Sequence, residues 1–207
     1  MIQLYGNPRS RAMRCMWMLE EIGQPYELVE KHTKELQTPE YLQLNPNARI
    51  PTLVDDGAVI WESMAINLYL AQKYEGPLHC AEAKILGLSA QWSFWAMLEM
   101  EGLLLDLLNH RAILPEFARD PSHSERNELL LRKPLAILDK SLGEREHLTG
   151  ENFTVADLNV ASILAWGKMA RLNLFDFLEV SRWLTNCLAR PAYKRVRDLA
   201  RQQLPRT

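Results

Sequence analysis

The sequence has little of what marks a membrane, secreted, metal-binding or nucleic-acid-binding protein. Its three cysteines are far apart and odd in number, which argues against a disulfide framework or a zinc site and fits a reducing cytoplasm. The five histidines show no HxxxH or HExxH spacing, so we expect no metal site. No apolar run approaches the roughly 18 residues of a membrane span, and the first residues do not form a signal peptide. With a net charge of −2, we expect no general attraction to nucleic acid or anionic membrane.

The composition is that of a folded protein, since 47% of the 207 residues are apolar and 24% are charged. Residues 1–77 alternate β-like runs with helical spacing in the order β-α-β-α-β-β-α, which predicts an α/β domain with a four-stranded mixed sheet. A linker at 78–83 follows. From 84 to 207 strand patterns disappear and helical spacing recurs. We therefore predict an α/β domain followed by an all-α domain.

The segment from Asn47 to Ser63, NARIPTLVDDGAVIWES, combines three local signals. A proline precedes an apolar run, an Asp-Gly pair typical of a tight hairpin separates that run from a second one, and Glu62-Ser63 stands where a helix would begin. The free N–H groups of a helix N-terminus can bind a carboxylate, and backbone beside a strand-entry proline is open to a partner. These residues fit an ordinary hairpin and capped helix, and they equally fit a site for a small peptide-like ligand.

Several residues have two interpretations when only the sequence is considered. Ser10, between a Gly-Asn-Pro turn and the first predicted helix, could cap that helix or donate a hydrogen bond to an anion there. Arg14, one turn later, could pair with a carboxylate or be a surface charge. Cys15 is interpreted as a small core residue. Trp92 and Trp95 could pack in a core or line an apolar pocket.

The whole chain resembles the cytosolic glutathione transferase family, and three local matches carry the resemblance. YGNPRS from Tyr5 to Ser10, with Arg14 four residues after the serine, is similar to the family's serine-type active-site loop. NPNARIPTL from Asn45 to Leu53 is similar to the NPxGKVPxL segment, and Glu62-Ser63 follows at the family spacing. TVAD from Thr154 to Asp157 is similar to the capping box of the family's central helix. The resemblance implies a thioredoxin-like first domain and the glutathione transferase fold.

The resemblance also implies a set of glutathione-binding residues, with glutathione as co-substrate. Pro51 would be a cis-proline, and the backbone of Ile50 would pair with the cysteinyl part of glutathione. Ser63 and its N–H would bind the γ-glutamyl carboxylate, and Glu62 would bind the ammonium group. Arg49 would lie near the glycyl carboxylate.

Catalysis and assembly are implied in the same way. Ser10 would donate a hydrogen bond that stabilises the glutathione thiolate for attack on a small hydrophobic electrophile. Asn7, Trp92 and Trp95 would contribute to the electrophile pocket. Such an enzyme would serve detoxification, and glutathione-dependent peroxide reduction is a second activity of the same site. A homodimer is implied, with the helix after Glu62 and the long helix from Ala83 packed against their mates.

Two departures from the family pattern leave alternatives open. Ala48 replaces the Gly or His that is common there, and Arg9 and Arg11 flank the serine in place of smaller residues. The serine could activate the thiol alone or share the role with Tyr5, Asn7 or an arginine. The chain could also be a non-catalytic glutathione-binding protein, or a glutathione-dependent disulfide reductase, isomerase or dehalogenase.

Overall fold

The computed structural model describes residues 1–202, apart from the side chain of Thr33. The chain forms two compact units, and the strands lie in the first. Its elements up to residue 73 are β1 (Ile2–Gly6), α1 (Ala12–Ile22), β2 (Tyr26–Glu30), a 3-10 helix (Thr33–Gln37), α2 (Pro39–Leu44), β3 (Thr52–Asp55), β4 (Ala58–Trp61) and α3 (Ser63–Lys73). The predicted order β-α-β-α-β-β-α is confirmed.

The four strands form one mixed sheet in the order β2-β1-β3-β4. The β1–β2 pair is parallel, whereas β1–β3 and β3–β4 are antiparallel. Leu4 and Leu53 are paired across β1 and β3, and both are fully buried. The helices α1 and α3 contact each other and strands of this sheet, so alternate strand residues are buried in one core.

The predicted hairpin between β3 and β4 is confirmed. Asp56 and Gly57 have φ values of +49° and +85°, the positive values that a tight two-residue turn between twisted strands requires. The buried carboxylate of Asp55 fixes this hairpin to α3, because Lys73 Nζ donates to it over 2.8 Å and Tyr74 Oη over 2.9 Å.

The second unit is helical, as predicted. It contains α4 (Ala83–Ala96), a π-helical segment (Met97–Glu101), α5 (Gly102–Leu108), a second π-helical segment (Asn109–Ile113), a 3-10 helix (Glu116–Ala118), α6 (Pro121–Gly143), α7 (Val155–Met169) and α8 (Leu178–Ala189). The long helix predicted from Ala83 is thus a continuous helical segment that contains two π-helical stretches. None of the helices within residues 1–202 is long and apolar enough to cross a membrane.

The predicted capping box at the start of α7 is confirmed. Asp157 Oδ2 accepts the Thr154 N–H over 2.9 Å, and the Thr154 hydroxyl accepts the N–H of Ala156 over 3.3 Å. The other carboxylate oxygen of Asp157 accepts the Leu148 N–H and the Trp183 indole N–H, each over 2.9 Å. One buried carboxylate therefore joins the start of α7 to the preceding loop and to α8.

The last helix, α9 (Pro191–Gln202), belongs to the first unit, whereas the helical pattern predicted a second domain spanning 84–207 that includes it. Trp17 in α1 contacts Tyr193 edge to face, with 4.8 Å between ring centroids. Arg190 donates to both carboxylate oxygens of Glu21, over 2.7 and 2.8 Å. Helical periodicity predicts that α9 has an apolar face, but it does not specify which helix that face contacts.

The three cysteines, Cys15, Cys80 and Cys187, are buried and form no disulfide with one another. Burial raises the pKa of the Cys15 thiol well above its usual range, although the positive charge of Arg14 acts in the opposite direction. Cys15 is therefore a protonated core residue, as the sequence analysis interpreted it.

Candidate functional site

The pairing of the strands brings three chain segments to one end of the sheet. Thr52, the first residue of β3, pairs with Tyr5 on one side and with Trp61 on the other. The end of β1, the start of β3 and the end of β4 therefore lie side by side. We call the adjoining segments, residues 7–10, 49–51 and 62–63, the strand-end site. They hold the residues to which the family resemblance assigns thiol activation and glutathione binding: Ser10, Arg49, Ile50, Pro51, Glu62 and Ser63.

Gly6, at the end of β1, lets two parts of this site approach closely. A Cβ atom added at Gly6 would collide with Ala12 Cβ at the start of α1, and would lie 3.9 Å from Ile50 Cβ. Only a residue without a side chain fits between these groups. Gly6 thus positions the start of α1 beside the segment that precedes β3.

Ser10 is half-buried in the turn between β1 and α1. Its hydroxyl donates to the carbonyl of Asn7 over 2.8 Å and accepts the N–H of Ala12, the first residue of α1, over 3.1 Å. Asn7 supports the same turn, since its side chain accepts the Arg9 N–H over 3.1 Å and donates to the Lys31 carbonyl over 3.3 Å. The hydroxyl of Ser10 therefore stabilises the start of the helix, which is the simpler of its two predicted roles.

Tyr5 carries the other hydroxyl that could activate the thiol. Its hydroxyl donates to Gln3 Oε1 over 3.3 Å, and its ring lies beside that of Tyr41 with 6.0 Å between centroids. Gln3 lies toward the start of β1, whereas Ser10 follows the end of that strand. The Tyr5 hydroxyl is thus directed away from residues 7–10.

Two buried side chains that no sequence motif singled out hold the segment before β3. Tyr41 Oη and Asn45 Nδ2 donate to the carbonyl of Arg49 over 2.7 and 2.9 Å. Both side chains also contact the hydroxyl of Thr52, over 3.0 and 3.1 Å. Burial raises the pKa of Tyr41, against the opposing effect of its hydrogen bond with Thr52, so the phenol stays protonated and able to donate.

Asn45 also closes the turn that leads to this segment, because its Oδ1 accepts the N–H of Asn47 over 3.0 Å. An asparagine that accepts from the N–H two residues later is a recurrent turn, and the sequence Asn-Pro-Asn carried that signal. Tyr41 carried no comparable signal, since an aromatic residue in a short helix is compatible with many environments.

The peptide bond between Ile50 and Pro51 is cis, as the resemblance implied. Ala48, which departs from the family pattern, has φ = +51°. Glycine adopts this left-handed conformation without a steric penalty, whereas a residue with a Cβ atom pays about 1–2 kcal/mol. Ala48 therefore occupies a backbone position that favours glycine.

Glu62 lies between β4 and α3 with φ = +72° and ψ = +114°, an unfavourable conformation for a non-glycine residue. Its side chain is exposed and does not cap α3, while its carbonyl accepts the N–H of Ile66 over 2.9 Å. Ser63, the first residue of α3, is buried, and its hydroxyl accepts from Arg14 Nη1 over 3.3 Å. Arg14 is itself only 2% exposed, so it is a buried charge linking α1 to α3 rather than a surface residue.

Trp92 and Trp95 belong to the helical unit. Their rings contact edge to face with centroids 5.1 Å apart, and Trp92 is buried. For Trp92 this packing fits the core interpretation. Trp95 is less buried than Trp92.

Comparison with known proteins agrees with this geometry. The model for the glutathione S-transferase N-terminal domain matches residues 1–72, and the model for the glutathione S-transferase C-terminal domain matches residues 98–191. The chain belongs to the glutathione S-transferase family. A probable glutathione S-transferase of rice, Oryza sativa subsp. japonica, is 31% identical over 96% of each chain.

Solved glutathione transferases share the fold as well as the sequence pattern. A theta-class enzyme from Xanthomonas axonopodis pv. citri, with glutathione bound, is 31% identical, with a TM-score of 0.85 over 94% of this chain and 95% of that one. A family member from Pseudomonas fluorescens pf-5, with two glutathione bound, is also 31% identical, with a TM-score of 0.79 over 94% and 91%. The thioredoxin-like first domain and helical second domain are those of a glutathione transferase.

Proposed function

We propose that this glutathione transferase binds glutathione across the strand-end site and conjugates it to a small hydrophobic electrophile. The β1–β3–β4 register is the observation that most supports the proposal, because it brings the three segments together. Three neighbouring strands span about 10 Å, and an extended tripeptide spans about the same distance. One glutathione molecule can therefore contact all three segments.

Each part of glutathione has a chemically suitable partner. The backbone of Ile50 pairs with the cysteinyl unit, as an added strand would. The N-terminus of α3, which begins at the buried Ser63, binds the γ-glutamyl carboxylate. The exposed carboxylate of Glu62 binds the ammonium group, and the exposed guanidinium of Arg49 binds the glycyl carboxylate.

Ser10 has the role of stabilising the thiolate. To do so its hydroxyl rotates away from the Asn7 carbonyl and donates to the glutathione sulfur, while it continues to accept the N–H of Ala12. The thiol proton leaves to solvent. The thiolate then forms a carbon–sulfur bond with the electrophile, and the displaced electron pair leaves with the departing group or is protonated.

The test is to measure glutathione affinity by calorimetry and turnover with a chromogenic electrophile, in the wild type and in Ser10→Ala. Ser141→Ala is the matched control, because the Ser141 hydroxyl also donates to a backbone carbonyl, that of Ile137 over 2.9 Å. We expect Ser10→Ala to retain glutathione affinity and lose at least about tenfold in turnover, because a thiol pKa that returns from about 6.5 to about 8.5 leaves about a 25-fold smaller thiolate fraction at pH 7. Ser141→Ala should match the wild type.

The other outcomes of this test identify the alternatives. Absence of glutathione binding in the wild type would contradict the proposed site. Binding without turnover of any electrophile, peroxide or disulfide would indicate a non-catalytic glutathione-binding protein. Unchanged turnover in Ser10→Ala would contradict the role of the serine while leaving glutathione binding intact.

The electrophile contacts proposed for Asn7, Trp92 and Trp95 are tested by kinetics. Trp95→Phe is the informative variant, because Trp92 is buried and its replacement would also reduce stability. We expect Trp95→Phe to raise the KM for the electrophile and leave the KM for glutathione unchanged. An unchanged KM for several electrophiles would contradict the proposed contact.

We also propose a homodimer. Each unit exposes large apolar side chains that an interface would cover: Val59 and Trp61 on β4, Phe94 on α4, and Leu98 in the π-helical segment that follows. Sedimentation analysis should give about twice the 23.9 kDa of one chain. A single species at the mass of one chain would contradict the dimer.

A further inference from the structure

The helical unit holds a cluster of one carboxylate and two imidazoles that the transferase reaction does not use. Asp106 is in α5, His110 is in the π-helical segment that follows, and His123 is in the first turns of α6. Asp106 Oδ1 lies 3.5 Å from His110 Nε2, and Asp106 Oδ2 lies 3.1 Å from His123 Nδ1. One potential ligand atom from each residue lies within 4.8 Å of the others.

Neighbouring residues orient Asp106 and His110 in this cluster. Asn127 Nδ2, in α6, donates to Asp106 Oδ2 over 2.7 Å and orients the carboxylate. The backbone N–H of Asp120 donates to His110 Nδ1 over 3.0 Å, which directs the Nε2 atom of that ring toward Asp106. The two imidazole rings stack with centroids 4.4 Å apart. Asp106 thus comes from α5, His110 from the π-helical segment after α5, and His123 from α6.

We propose that Asp106, His110 and His123 form a binding site for a divalent transition-metal cation of the zinc type. Two imidazole nitrogens and one carboxylate oxygen are a ligand set that zinc prefers, and a three-residue set leaves a coordination position for water. Ligands placed 2.0–2.2 Å from a tetrahedral centre lie about 3.3 Å apart. The pairs at 3.5 and 3.1 Å have that spacing, although each involves a different oxygen of Asp106.

Binding requires two local adjustments. The His110 ring accepts a hydrogen bond at Nδ1, so its proton is on Nε2; a metal at Nε2 moves that proton to Nδ1 and breaks the bond from Asp120. Losing that one bond lowers the affinity by a factor of roughly five. His123, whose side chain is 50% exposed, turns out of the stack so that its nitrogen lone pair points at the metal.

The histidine spacing does not predict this site, because the motifs HxxxH and HExxH place both histidines on one helix. His110 and His123 lie on different elements and are separated by a turn that Arg119 closes, with bonds to the carbonyls of Leu114 over 2.8 Å and Ala112 over 3.2 Å. A bound cation would join the end of α5 to the start of α6 across that turn, which predicts that it raises thermal stability.

The experiment is a calorimetric titration of tag-free, chelator-treated full-length protein with Zn²⁺, and with Mg²⁺ as a cation that imidazole does not favour. His123→Gln is the main variant, because the half-exposed glutamine amide can still donate to Asp106 and the fold should be retained. His32→Ala, which removes an exposed histidine elsewhere, is the matched control. Circular dichroism checks that each variant is folded.

We expect saturable binding of one Zn²⁺ per chain, a higher melting temperature with Zn²⁺ but not Mg²⁺, and affinity at least about tenfold weaker in His123→Gln. Asp106→Asn should weaken binding in the same way, and His32→Ala should not. Bound Co²⁺ should give visible absorption that His123→Gln abolishes. Equal Zn²⁺ affinity in wild type and His123→Gln, or no saturable binding to the wild type, would overturn the proposal and leave the cluster as an ion-pair network.

Discussion

Asn45→Ala should affect both stability and glutathione binding, because Asn45 holds the segment before β3. Its amide donates to the Arg49 carbonyl and the Thr52 hydroxyl, and its oxygen accepts the N–H of Asn47, over 2.9–3.1 Å in each case. The residue is only 2% exposed, so water does not easily replace these bonds. At about 1 kcal/mol for each of the three hydrogen bonds, the free energy of unfolding of Asn45→Ala should be about 3 kcal/mol lower than that of the wild type. For a chain of this size that lowers the melting temperature by roughly 6–12 °C.

The functional consequence follows from the position of Arg49 next to Ile50. If about 1.4 kcal/mol of the loss comes from a less ordered Arg49–Pro51 segment, the KM for glutathione rises about tenfold. Asn47→Ala is the control, since it removes only the side-chain bond of the exposed Asn47 to Asn45 and keeps the backbone N–H that Asn45 accepts. Calorimetry and steady-state kinetics measure both effects. Identical melting temperatures and KM values in Asn45→Ala and Asn47→Ala would refute this reasoning.

Three further predictions concern the backbone and the thiols. Gly6→Ala should lower the free energy of unfolding by about 1–3 kcal/mol in chemical denaturation, because the added methyl collides with Ala12. The control Gly87→Ala, in open space on α4, should raise it by about 0.5–1 kcal/mol. An unchanged free energy of unfolding in Gly6→Ala would show that the start of α1 moves freely. Ala48→Gly should gain about 0.5 kcal/mol, because φ = +51° strains alanine more than the flexibility of glycine costs in the unfolded chain. Native protein should resist alkylation at Cys15 even at alkaline pH, because burial raises the pKa of that thiol, and should react only after denaturation. Rapid native labelling at Cys15 would contradict its assignment to the core.

The fold was largely predictable because its elements carry local signals. The β-like run that contains Leu4, the Asp56-Gly57 turn and the Thr154–Asp157 capping box each depend on residues close together in the chain. The residues proposed to bind glutathione were suggested by family motifs, and the strand register explains why the segments that carry them lie together.

The features that the sequence did not reveal depend on contacts between distant residues. For Arg14 the sequence left open a carboxylate partner or a surface charge, whereas the side chain is buried and donates to Ser63 of α3. The contact of α9 with α1 through Tyr193 joins residues that are far apart in sequence. Tyr41 was missed because its role depends on where the Arg49 carbonyl comes to lie. No local pattern encodes such pairings.

Glutathione activation by Ser10 is tested most directly by titrating the thiol of bound glutathione. The ultraviolet absorbance of the thiolate is followed against pH, with saturating glutathione, in the wild type and in Ser10→Ala. Free thiol has a pKa of about 8.5, so a shift of about two units would make the bound thiol mostly ionised at pH 7. We expect a midpoint near pH 6.5 in the wild type and a return toward 8.5 in Ser10→Ala, about a 25-fold smaller thiolate fraction at pH 7. A wild-type midpoint at the free value, or the same lowered midpoint in Ser10→Ala, would contradict the role of Ser10.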